Sequence, residues 1–218
     1  MNNLLNNLYT NGCSFTYGNT LKEDGIKTWP MLLSEKLNLN LIDDSYNRKS
    51  IESIHYTTIN SLHKLDKNTK VVIGCTWSPR YMIQCNDKIF DIQPNSKSQY
   101  VEEPYDKPVN KFVEYYQSLL KYDDKRHENE KKQMITLISS LQGFLEFKGF
   151  DYRIIIFHGQ VDLNSSSRLP ITDVLNMNNI IDLTDKEFHY NITDKKTSHP
   201  SQEGCKKISE IIYDSFNR

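Results

Sequence analysis

The chain has 218 residues, 37% of them hydrophobic and 25% charged, with a formal net charge of -1. That length suits one α/β domain carrying insertions, and the balanced charge argues against a polyanion binder, so no nucleic-acid partner is expected. No apolar run reaches the ~20 residues of a bilayer-crossing helix, the opening "MNNLLNNLYT" lacks the flank and centre of a signal peptide, and Cys13, Cys75, Cys85 and Cys205 have no ligand spacing. The expectation is a cytoplasmic protein with reduced thiols, no membrane partner and no metal. In chain order, "LLNNLYT" (4–10) reads as a first strand that runs into "NGCSFTYG". The small residues at 12–14 there are either an ordinary tight turn or the presentation of Ser14 as a reagent.

Trp29, Leu32, Leu33 and Leu37 recur at helical spacing in 28–38, with Thr28 as a cap and Pro30 in the first turn. "LNLIDD" (39–44) is a short second strand. Ser50 is a candidate N-cap for a helix over 50–65, whose Ile51, Ile54, Ile59, Leu62 and Leu65 would face a sheet. "KVVIGCTW" (70–77) is a buried third strand. After Pro79 the pattern loosens, and about 83–108 reads as an insertion, a hairpin and a lid. Helices follow over 109–122 and 124–149, the second stopped by Gly149. The interleaved charges of 121–133 mark a solvated helix face. Strands at 152–159 and 179–184 and an amphipathic helix over 201–216 complete the chain.

Strands alternating with helices predict one domain, 1–218, with a three-layer flavodoxin-like fold: a central parallel sheet of about five strands flanked by helices, with an insertion after the third. In such folds ligands bind beyond the carboxyl ends of the strands, where strand order reverses. The loops after strands one, three and five hold Ser14, "TWSPR" (76–80) and "TSHPS" (197–201).

A serine hydroxyl attacks at neutral pH only when a base removes its proton, so Ser14 needs a histidine nearby. His55 and His63 fall in an amphipathic helix, His127 in a charged run, His158 at a strand end and His189 in a polar loop. His199 stands between the last strand and the last helix, where a loop can lean over the sheet. Taken singly, Ser14 is a turn residue and His199 a loop residue before proline. As a pair in this order they are a candidate nucleophile and base.

"NGCSFTYG" and "SHPSQEG" together resemble two blocks of the SGNH, or GDSL-like, serine hydrolases, with Cys13 in place of the family's Asp. The resemblance spans 14 to 199 and implies a flavodoxin-like fold and hydrolysis of an acyl or acetyl ester, on a carbohydrate or similar polar alcohol. It casts Ser14 as nucleophile through an acyl-Ser14 intermediate, and His199 as base and then acid. It implies no cofactor and no metal.

The family's usual Asp three residues before the histidine is Lys196 here, and the nearest upstream acid is Asp194. Asp194 brought in by a loop bulge, a backbone carbonyl, or no third member at all are the alternatives. The family's second-block Gly corresponds to Arg48, which offers its N–H to the oxyanion beside that of Ser14. The third-block Asn corresponds to Thr76, with Ser78 nearby. Such donors suggest a slow enzyme. Trp77 and Arg80 suggest a pocket that stacks on a sugar ring and pairs with an anionic group, and Ser50 and Ser78 join them as substrate-binding candidates. The substrate partner would be a small-molecule or glycan ester, and the oligomeric state is open. Two rivals remain: an inactive fold that binds a glycan or protein through the same cleft, and an acyltransferase using the same Ser/His pair.

Overall fold

The first strand, β1 (Asn7–Gly12), runs past the expected end through Asn11 and Gly12, so the motif begins inside the sheet. The computed structural model describes residues 6–18, 21, 25–75, 80–85, 88–92, 106–120, 126–157, 174–184 and 199–218. A single helical turn, α1 (Ser14–Tyr17), follows β1 directly and ends at Gly18, whose φ of 64° is the left-handed conformation that glycine adopts without strain. Next come α2 (Trp29–Leu37), β2 (Asn40–Asp43), α3 (Ile51–Leu62) and β3 (Lys70–Cys75). The third strand is described as far as Cys75, and 76–79, expected to continue it, lie outside the described residues.

The expected insertion opens as an antiparallel hairpin, β4 (Tyr81–Cys85) and β5 (Lys88–Ile92), slightly earlier than the sequence pattern places it. Its Ile83 and Ile92 pack on Val109 and Val113 of α4 (Asp106–Leu120). The expected lid over 93–105 lies outside the described residues. The long α5 (Arg126–Lys148) leads into β6 (Asp151–Ile156), a 3-10 turn (Met177–Asn179), β7 (Ile180–Asp182) and α6 (Gln202–Phe216).

Strands β2-β1-β3-β6-β7 form one five-stranded sheet, and every pairing in it is parallel. Alternate side chains feed two cores, as the two-residue period of a strand requires. On one face Tyr9, Val71, Ile73, Ile154 and Ile156 meet Ile54 and Leu62 of α3 and Met134, Ile138, Leu141 and Leu145 of α5. On the other, Leu8, Val72, Ile155 and Phe157 meet Trp29 and Leu33 of α2 and Ile208 and Ile212 of α6. This is the three-layer architecture that the alternation of elements predicts. Strand order reverses between β1 and β3, so their carboxyl ends flank the crevice where ligands bind in this topology. Among the described residues no helix is long and apolar enough to cross a membrane.

Candidate active site

Two glycines explain how Ser14 comes to stand at that crevice. Gly12 and Gly74 are register partners on β1 and β3, and Thr16 of α1 lies across both. A Cβ on Gly12 would meet Thr16 Oγ1 at 2.1 Å, and one on Gly74 would meet it at 2.2 Å. Without side chains there, the helical turn can settle directly on the strand ends. The N–H groups of Thr16 and Tyr17 both donate to Cys13 O at 2.9 Å, which makes Ser14 the first helical residue. Ser14 is 2% exposed, and its Oγ lies 4.0 Å from Cys13 Sγ.

His199 arrives from the far end of the chain. It precedes Pro200 and Ser201, whose side chain accepts from the Gly204 N–H at 3.0 Å and caps α6. The imidazole packs on Phe15, the residue after Ser14, with ring centroids 5.2 Å apart. Phe15 in turn rests on Phe157 at 5.6 Å, so the histidine sits at the end of an aromatic column rooted in the core. Two other histidines are engaged elsewhere: His55 Nε2 lies 2.9 Å from Ser140 Oγ, and His63 meets Phe144 edge-on at 5.4 Å. Burial lowers the pKa of His55.

The segment between β2 and α3 lies against the end of β1. The Asp44 N–H donates to Thr10 O at 2.9 Å and the Tyr46 N–H to Gly12 O at 3.2 Å, so this segment continues along β1 to the start of the motif. Within it Arg48, exposed, has φ 65°. That left-handed conformation costs a non-glycine residue roughly 1–2 kcal/mol, and it occurs at the position where the motif comparison has glycine. Strain of this kind collects at functional sites. Ser50, a substrate-binding candidate from the sequence, is the N-cap of α3: its buried hydroxyl accepts from the Ser53 N–H at 3.1 Å, and its own N–H donates to Asp91 Oδ1 at 2.9 Å. Arg80 is half-buried and reaches the same segment, with Nη1 donating to Lys49 O at 3.4 Å. Its buried Nε has no hydrogen-bond partner among the described residues. Thr76, Trp77, Ser78 and Asp194 lie outside the described residues.

Sequence reasoning missed a buried polar network behind this segment. Lys49 is 2% exposed and donates to Asn11 Oδ1 and Asp44 O, both at 2.7 Å. Asn11 Nδ2 reaches Thr57 and Thr58 hydroxyls at 2.9 and 2.8 Å, and Tyr9 Oη donates to Asp44 Oδ2 at 2.9 Å. Burial lowers the Lys49 amine from 10.5 to about 8, against the pull of Asp44, Asp91 and Asp43. The one available signal was Asn11 itself, a polar residue at an inward position of a central strand.

The fold is that of the SGNH, or GDSL-type, hydrolases. A member of the lipolytic protein G-D-S-L family from Veillonella parvula superposes with TM-score 0.52 and 13% identity over 97% of this chain and 98% of the other. The psychrotrophic esterase EstA from Pseudoalteromonas sp. gives 0.51 and 14% over 97% of both chains. The acetyl xylan esterase AlAXEase gives 0.50 and 12%, over 96% of this chain and 98% of that one. No family model and no curated protein matches the sequence.

Proposed function

We propose that this protein is a serine esterase that removes an acyl or acetyl group from a carbohydrate or similar polar alcohol through an acyl-Ser14 intermediate. The observation that carries the reading is the 5.2 Å contact between His199 and Phe15, which brings the candidate base next door to the candidate nucleophile from the other end of the chain. Ser14 Oγ attacks the ester carbonyl while His199 takes its proton; the same imidazole protonates the departing alcohol, and water then releases the acid. The N–H groups of Ser14 and Arg48, with the Thr76 side chain, receive the oxyanion. Asp194 is the proposed partner of His199, and Trp77, Ser78 and Arg80 the proposed contacts to the alcohol portion. Among the structural neighbours, the acetyl xylan esterase supports an acetylated carbohydrate as substrate, and EstA supports an ester.

The test is hydrolysis of p-nitrophenyl acetate by the purified protein and by Ser14→Ala, with chelator present. Turnover is expected in the first and is expected to fall to background in the second. Equal rates in both would defeat the reading and favour an inactive fold that binds a glycan or a protein through the same cleft.

A further inference from the structure

Lysine is almost never fully buried unless its ammonium is paired, and Lys49 is buried beside the segment that carries Arg48. Its partners belong to two different parts of the fold. Asn11 is a residue of β1, one residue before the Gly12 that leads to Cys13 and Ser14; Asp44 begins the segment after β2. Lys49 is a donor only, so the Asn11 carbonyl oxygen must face it, and the Asn11 amide is held from behind by Thr57 and Thr58 of α3. The ammonium also sits 4.5 Å from the Tyr46 ring centroid. Its backbone carbonyl receives Arg80 Nη1. Arg48, the neighbour of this anchored residue, is the one in the left-handed conformation.

We propose that Lys49 is a positioning residue: by tying Asn11 of β1 to the Asp44 carbonyl, it holds the Arg48 N–H in register with Ser14 so that the oxyanion site is formed before substrate binds. This rests on the esterase reading. Preorganised donors stabilise a developing oxyanion because no rearrangement is needed as the charge appears. Charge-assisted bonds to two carbonyl oxygens are a strong way to fix a loop against a strand. The effect is confined to the transition state, since a planar ester carbonyl gains little from the Arg48 N–H before attack.

The experiment compares the full-length protein with Lys49→Met, which keeps the stem and removes the donors, using p-nitrophenyl acetate and a boronic acid that forms a tetrahedral serine adduct. Because a lost oxyanion donor lowers turnover by roughly 10²–10³, kcat should fall at least about tenfold, KM should stay within about twofold, and boronate affinity should fall in parallel with kcat. Adding Arg48→Gly to Lys49→Met should recover about threefold or more, because glycine takes the left-handed conformation without the strap. An unchanged kcat, a loss confined to KM, or a loss that Arg48→Gly does not relieve would overturn the proposal while leaving Ser14-dependent turnover intact. If Lys49→Met does not fold, Lys49→Leu, which also removes the donors with an apolar side chain, is read by the same split, with an unchanged kcat again overturning the proposal. If Ser14→Ala hydrolyses as fast as the wild type, the esterase reading falls, and the role of Lys49 falls with it.

Discussion

Thr16 lies over Gly12 and Gly74 with so little room that either glycine is a sensitive site for the crevice. A methyl at Gly74 would also meet Phe157 Cε2 at 2.9 Å, an atom of the aromatic column under His199. Overpacking of this kind typically costs about 1–3 kcal/mol, so Gly74→Ala should lower the denaturant midpoint and reduce turnover by displacing α1. Thr16→Ala should rescue part of that loss, because the crowding hydroxyl has no hydrogen-bond partner among the described residues and its removal sacrifices little. Equal destabilisation with and without Thr16→Ala would show that the clash lies elsewhere. Ser14 and His199 were readable as candidates because their signals are local: small residues before a helical turn, and a histidine before proline at a helix start. Lys49 was not readable. A lysine in a polar segment reads as solvated, and its burial depends on Asn11, Asp44 and Tyr46 meeting around it.

The start of α3 is built from two separate parts of the chain. Ser50 is its own cap, and the Ser50 signal was visible in the sequence because capping needs only a hydroxyl one position before the helix. Asp91 comes from the hairpin and accepts from the Ser50 N–H at 2.9 Å, the Ser53 hydroxyl at 2.7 Å and the Tyr46 hydroxyl. A carboxylate at a helix N-terminus is favoured by the helix dipole as well as by these bonds. The hairpin is thereby fastened to the segment that ends in Arg48 and Lys49. Hydrogen bonds to charged groups contribute about 1.5–3 kcal/mol, so Asp91→Ala should destabilise the protein by that order in denaturant unfolding. Asp91→Asn, which keeps one acceptor, should lose less; an Asn variant as unstable as the Ala variant would argue that the charge rather than the bonds is decisive. Strand and helix periods predicted the presence of these elements, but their ends moved, since an end is set by caps and contacts that the period does not encode.

Buried acids scattered through both cores predict how the protein responds to alkali. Burial raises the thiol of Cys75 from 9.0 to about 12 and that of Cys205 to about 11, and it also raises the Tyr9 phenol. The folded state keeps these protons where the unfolded chain has released them, so their contribution to stability is full below pH 9.0 and is lost as pH climbs toward the folded values. Lys49 acts in the opposite sense between about 8 and 10.5, where the unfolded chain binds a proton that the folded state has given up. Several acids outweigh one amine, and Tm should fall markedly between pH 8.5 and pH 11, as thermal unfolding at the two values would show. A flat or rising Tm over that interval would contradict the burial of these groups.

The alternation of strands and helices, read from side-chain period, was enough to predict a parallel three-layer sheet and to point to the loops after its strands, because period and topology follow from general rules of chain geometry. The Ser14 and His199 motifs were enough to name a candidate nucleophile and a candidate base. Folding was needed to bring His199 onto Phe15, to twist Arg48 into a left-handed conformation, and to close water out around Lys49. Each of these depends on contacts between elements far apart in the chain, where the energy of a residue is set by its neighbours in space.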